Sequence, residues 1–134
     1  MPTDSTPAAA PSAAARWTPP VVWVVFILIA TSWPGISVGP DVLPLDKVFH
    51  FSAYAVLAAL MLRATLTPRD WGTVAIIIAV VSVFGAVDEW HQSFIPRRSM
   101  SFADWVADSS GALVGALAVR LLPFLTPRRP GLSS

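Results

Sequence analysis

WGTVAIIIAVVSVFGAV (residues 71 to 87) passes without one charged side chain, and its reading decides the fold. The hydrocarbon core of a bilayer is about 30 Å thick and takes about 20 predominantly apolar residues to cross as a helix. This run is too apolar, and too close to similar neighbours, for a soluble bundle. Working outward, VFHFSAYAVLAALML (48 to 62) holds only His50 as an ionisable group, and VVWVVFILIATSW (21 to 33) holds none. Proline punctuates the chain, because inside a helix it removes a hydrogen bond and clashes with the preceding turn. The proline-free windows are 45 to 67, 69 to 95 and 97 to 122, with the shorter apolar run following Pro19 and Pro20.

Four transmembrane helices are expected, near 18 to 37, 46 to 66, 71 to 94 and 103 to 124. The first is the weakest, since residues 21 to 33 at about 1.5 Å per residue reach only about 20 Å. Adding Trp17, Thr18 and the stretch from Pro34 to Val38 completes a span, because nothing between Arg16 and Asp41 is charged; a re-entrant or interfacial segment is the alternative. Trp17, Trp33, Trp71, Trp90 and Trp105 fall near the expected ends, where an aromatic belt would place them.

Composition agrees. Of 134 residues, 54% are hydrophobic and 13% charged, the profile of a membrane protein. The absence of cysteine excludes disulfides, thiolate metal sites, iron–sulfur clusters and thiol nucleophiles. A net charge of +1 makes no case for nucleic acid as a partner. Residues 1 to 16 are rich in Ala, Pro, Ser and Thr and are expected to form a disordered tail, as are 126 to 134. The expected fold is therefore all-α, an integral membrane four-helix bundle over 17 to 125 with disordered N- and C-terminal tails.

Four spans put both tails and the loop between helices two and three on one side. That side collects Arg16, Arg63, Arg69, Arg120, Arg128 and Arg129 against Asp4 and Asp70. The other collects Lys47, Arg97 and Arg98 against Asp41, Asp46, Asp88, Glu89, Asp104 and Asp108. By the positive-inside rule both termini are cytoplasmic in the cell membrane and the acid-rich face is extracytoplasmic.

Three sequence-distant polar clusters converge on that outer face: Asp46, Lys47, His50 and Tyr54; Asp88, Glu89, His91 and Gln92; Asp104 and Asp108, with Arg97, Arg98 and Ser99 in the loop between. At about 100° per residue, Asp104, Asp108, Gly111 and Gly115 share one face of helix four, and GALVG offers the small-xxx-small pattern that lets helices approach closely in lipid. The acids are therefore expected to point into the bundle. Asp46, His50, Tyr54 and Leu57 form a matching stripe, whereas His91 falls on the far flank from Glu89 and is left outside the site.

Charged groups at depth cost about 2.5 to 3.5 kcal/mol each on insertion scales, so they persist as partners of one another or of a ligand. Three chemistries suit this set. His50 with Glu89 forms an acid–base pair for a lipid-linked substrate at the outer leaflet. His50 with Glu89, Asp104 and Asp108 offers nitrogen and oxygen donors to a divalent metal, although no short metal motif is present. Arg98 with Ser99 could hold a phosphate or carboxylate. The cofactor stays open, as does the choice between an enzyme and a non-catalytic module whose network only locks helix packing. A proton or cation path is disfavoured, because residues 71 to 87 carry no relay group.

DKVFHFSAYAVLA (46 to 58) followed by DEWHQSFIPRRSMSFADWVADSSGALVG (88 to 115) resembles the VanZ-like family of small membrane proteins, named for a teicoplanin-resistance accessory protein. The family pattern runs D-K-x-x-H-F-x-x-Y, D-E-x-x-Q-x-F, then R-S-x-S-x-x-D-x-x-x-N/D-x-x-G-x-x-x-G. Asp46, Lys47, His50, Phe51 and Tyr54 match the first part; Asp88, Glu89, Gln92 and Phe94 the second; Arg98, Ser99, Ser101, Asp104, Asp108, Gly111 and Gly115 the third. Arg97 departs from it, standing where many relatives carry glycine. The resemblance implies a multi-pass membrane protein with a polar outward face and supplies no reaction; the convergence of the three clusters on that face leads to the expectation that it binds, and acts on or simply holds, an envelope lipid, glycolipid or glycopeptide antibiotic. Candidate catalytic residues are His50, Glu89, Asp104 and Asp108. Candidate ligand-binding residues are Lys47, Tyr54, Asp88, Gln92, Arg98 and Ser99, with Gly111 and Gly115 packing helices.

Overall fold

A computed structural model describes residues 11 to 34, 45 to 67 and 70 to 125. They form four helices, α1 (Ala13–Ser32), α2 (Leu45–Ala64), α3 (Trp71–Gln92) and α4 (Phe102–Leu121), and a closing 3-10 turn at Pro123–Leu125. All four are long and apolar enough to cross a membrane. The protein is an all-α, multi-pass membrane bundle.

The first helix reaches its span from the opposite end to the one expected. Pro34 disfavours helical backbone at the residue before it, and Trp33 is extended at φ −72°, ψ 129°, so α1 stops at Ser32. It starts instead at Ala13, with the Ser12 hydroxyl accepting from the Ala15 amide at 3.2 Å and the good helix formers Ala13 to Ala15 filling the first turn. This corrects the expected tail boundary at residue 16. Residues 1 to 10, the expected continuation through 35 to 37 and the expected tail 126 to 134 lie outside the described residues. Pro19 and Pro20 sit within the helix and deprive the carbonyls of Ala15 and Arg16 of their intrahelical donors, close to its polar end.

α3 opens on Asp70, whose carboxylate accepts from the Thr73 amide at 2.8 Å and the Thr73 hydroxyl at 3.1 Å. The amide bond from Thr73 above all holds this carboxyl below its usual range. Ser101 caps α4 in the same way, accepting from the Asp104 amide at 3.2 Å.

α2 and α4 run parallel and make the closest pair. A Cβ at Gly111 would collide with the Phe51 carbonyl and one at Gly115 with the Ala55 carbonyl, so both glycines are spent on this approach inside one chain. Ala58, Ala112 and Ala116 continue the seam, with Leu57, Leu62, Val81 and Val119 buried beside it. α3 joins α4 through the Ser82 and Ser109 hydroxyls, 2.6 Å apart, and through Trp105, whose indole donates to the Ser82 carbonyl at 3.0 Å. Trp105, half-buried near the start of α4, thus ties the two helices together. α1 lies at the edge, tied by the Trp23 indole donating to the Ala53 carbonyl at 2.9 Å, and turns Val21, Val22, Val25 and Ile29 outward. At one end of the bundle Arg120 stacks 3.6 Å over Trp71. The other end carries the polar residues.

Candidate functional site

Alternation of the four helices brings the start of α2, the end of α3, the start of α4 and the end of α1 to one end of the bundle. Tyr54, His50, Asp88, Glu89, Gln92, Asp104 and Asp108 are all buried there. At about 1.5 Å per residue, Tyr54 lies about 13 Å from the start of its helix, so the network reaches more than two turns into the bundle.

The deepest layer centres on Asp88. Its Oδ1 accepts from the Thr31 hydroxyl at 2.8 Å, and its Oδ2 accepts from the Tyr54 hydroxyl at 3.1 Å and the Gln92 amide at 3.2 Å. Three neutral donors from α1, α2 and α3 therefore engage both oxygens, which is how a carboxylate is kept in a low-dielectric interior without a cation beside it.

One turn nearer the helix ends lies the second layer. His50 Nδ1 stands 2.9 Å from Asp108 Oδ1 and 3.9 Å from Glu89 Oε1, while His50 Nε2 is 3.9 Å from Asp46 Oδ1. Glu89 is held in place by the Ser101 amide, which donates to Oε2 at 2.7 Å, and by Gln92, 3.3 Å from Oε1. Gly85 gives this layer room, since a Cβ there would stand 3.0 Å from Asp108 Oδ2 and 3.3 Å from the Tyr54 ring, tighter than ordinary contact.

The mouth forms the third layer. Lys47 Nζ pairs with Asp104 Oδ1 at 2.8 Å, and the lysine side chain keeps 47% of its surface exposed. Arg98 donates through Nη1 to Gln92 Oε1 at 2.9 Å and through Nε to the Trp33 carbonyl at 3.2 Å, strapping the α3–α4 loop to the end of α1. Arg97 turns the chain with a left-handed φ of 66°, the conformation that glycine would take without strain, and leaves its own side chain exposed. Of the two arginines, Arg98 is the one that joins the network.

Among the expected site residues, Lys47, His50, Tyr54, Asp88, Glu89, Gln92, Arg98, Asp104 and Asp108 are thus gathered into one connected set. Ser99 is exposed in the loop, with no hydrogen bond to the set among the described residues. His91 stays outside, its Nδ1 buried and without a described partner. Two contributors escaped the sequence reading. The Ser101 amide is a backbone group and carries no side-chain signal. Thr31 could have been found, because alternation already puts the end of the first helix on this side and it is a hydroxyl in a charge-free run.

Carboxylates outnumber cations in the set: Asp46, Asp88, Glu89, Asp104 and Asp108 face Lys47, Arg98 and the titratable His50. Such a site can exchange a proton through the imidazole, hold a cation among the acids, or receive hydroxyl and phosphate groups at the mouth.

A family model described as VanZ/LLP1 matches residues 8–123 of the chain, an interval that contains every residue of the network. No curated protein and no solved structure matches it.

Proposed function

The chain belongs to the VanZ/LLP1 family, matched over residues 8–123, and from that premise we propose that the polar end of its bundle binds the headgroup of an envelope lipid or glycolipid at the extracytoplasmic face of the cell membrane. The observation that carries this reading is a buried network fed by all four helices and edged, at the boundary, by the half-exposed Lys47 and by Arg98. On this side of the bundle the mouth offers a headgroup described donors and acceptors in exchange for water. Hydroxyls of a sugar or glycerol donate to Asp104 and reach His50, while phosphate oxygens accept from Lys47 and Arg98. A guanidinium has five N–H donors, and the two described bonds from Arg98 leave the rest of that fork for a phosphate. His50, backed by Asp108 and Glu89, supplies acid–base capacity next to whatever is bound.

The basic excess on the tail side supports the orientation. The test is complementation of a deletion strain with His50→Ala, Glu89→Ala and Asp104→Ala at matched membrane levels, read as susceptibility to glycopeptide and other surface-acting antibiotics. Loss of complementation is expected. Full complementation by all three variants, where deletion itself has an effect, would remove the reading.

A second role is favoured by Asp88, whose oxygens are taken up by Thr31, Tyr54 and Gln92. This deeper layer acts as a lock between α1, α2 and α3. Substitutions there act on stability first and on binding only through it.

A further inference from the structure

We infer that His50, Glu89 and Asp108 bind a hard or borderline divalent metal ion of the manganese or zinc kind. The three side chains come from three different helices, all are buried, and one donor atom from each lies within 4.8 Å of the others. His50 Nδ1 faces Asp108 Oδ1 at 2.9 Å and Glu89 Oε1 at 3.9 Å. Ligands placed 2.0–2.1 Å from a tetrahedral ion stand about 3.3 Å apart, a value that these two separations straddle. One imidazole nitrogen with two carboxylates suits zinc, manganese or iron(II) and does not suit a soft ion such as copper(I).

Two observations independent of the clustering point to a cation. Asp108 has no exposed surface; its Oδ1 meets the imidazole at 2.9 Å, while its Oδ2, on the Gly85 side, finds no hydrogen-bond partner among the described residues, so a fully buried carboxylate next to His50 is only half compensated. The surroundings also have the form of an outer shell. A metal-ligating histidine ordinarily turns its other ring N–H toward a carboxylate, and His50 Nε2 faces Asp46 Oδ1 at 3.9 Å. The Ser101 amide on Glu89 Oε2, at 2.7 Å, orients that carboxylate with Oε1 toward the imidazole. Three protein ligands leave room in the coordination sphere for water or for an oxygen of a bound headgroup. The inference goes beyond headgroup binding and does not depend on it.

The experiment uses full-length protein in detergent, without a polyhistidine tag, stripped with chelator, dialysed separately against zinc and manganese, and analysed for metal by mass spectrometry. Wild type and His91→Gln are expected to retain about one ion per chain, as a site with a full ligand set does. His50→Gln and Asp108→Asn are expected to lose affinity by at least about tenfold, with helical content unchanged by circular dichroism. Should those variants fail to fold, the wild type decides the matter by titration with cobalt(II). Ligand-field bands saturating at one equivalent support the site, and their absence overturns it. Equal metal in wild type and variants, or none in wild type, also overturns it. Because no lipid enters the measurement, a negative result leaves headgroup binding standing, and a positive one does not by itself establish it.

Discussion

His50 Nδ1 lies 2.9 Å from Asp108 Oδ1, joining α2 to α4 between two side chains that are 5% and 0% exposed. This contact stands on the same seam as Gly111 and Gly115, which bring α4 down onto the α2 backbone and so fix the distance between the two ionisable groups. Close helix packing and the chemistry of the site are one geometric arrangement.

Removing one partner of the His50–Asp108 pair leaves the other buried without compensation. His50→Gln and Asp108→Asn are each expected to lower unfolding free energy by about 1 to 3 kcal/mol. The double variant should fall short of their sum, with a coupling of at least about 0.5 kcal/mol in a thermodynamic cycle. Additive losses would mean that the contact has no energetic reality.

The glycine seam makes a sharper prediction. Gly115→Val places a side chain against the Ala55 carbonyl and must part the two helices. Loss of folded protein is expected, and even Gly111→Ala should cost about 1 to 3 kcal/mol through overpacking. Val114→Ala, at an exposed position of the same helix, should stay within about 0.5 kcal/mol of wild type in thermal unfolding.

Arg97 holds a left-handed backbone that most side chains resist, at φ 66°. Arg97→Gly should relieve up to about 1 kcal/mol of that strain, raising the melting temperature slightly. Arg98→Gly, by contrast, removes the strap between Gln92 and the Trp33 carbonyl and should loosen the α3–α4 loop in hydrogen exchange.

At the opposite end, the Thr73 amide and hydroxyl hold the Asp70 carboxyl below its ordinary value. A depressed folded-state pKa means that the cap stabilises α3 above the unfolded value of about 3.9 and is lost as pH falls through the folded one. Protection of the Gly72 to Val74 amides, taken relative to the intrinsic exchange rate at each pH, should therefore fall on acidification below about pH 4. Asp70→Asn should flatten that dependence.

Much of this arrangement can be read from residues alone, for identifiable reasons. The charge-free run 71 to 87 admits no reading but a buried or spanning segment, and α3 starts at Trp71 as expected. Helical phase put Asp104 and Asp108 on the face of Gly111 and Gly115, and that face meets α2. The start of α1 was not legible, because an Ala- and Pro-rich stretch has the composition of a solvated tail, and Pro19 with Pro20 reads as a stop. Only the cap at Ser12 and the restriction before Pro34 account for where it begins and ends. Thr31 escaped notice because a hydroxyl within an apolar helix usually bonds its own backbone. Here it sits 3.0 Å from the Ile27 carbonyl and 2.8 Å from Asp88, and only the packing of α1 on α3 brings the second partner within reach.

The most direct trial of headgroup binding is native mass spectrometry of protein extracted from its own membranes, comparing wild type with Asp104→Asn and His50→Gln at equal folded content. Wild type should carry an anionic or sugar-bearing lipid that both variants release, while His91→Gln keeps it. The same lipid complement on all four proteins, or a bare wild type, would contradict a binding site at this end of the bundle.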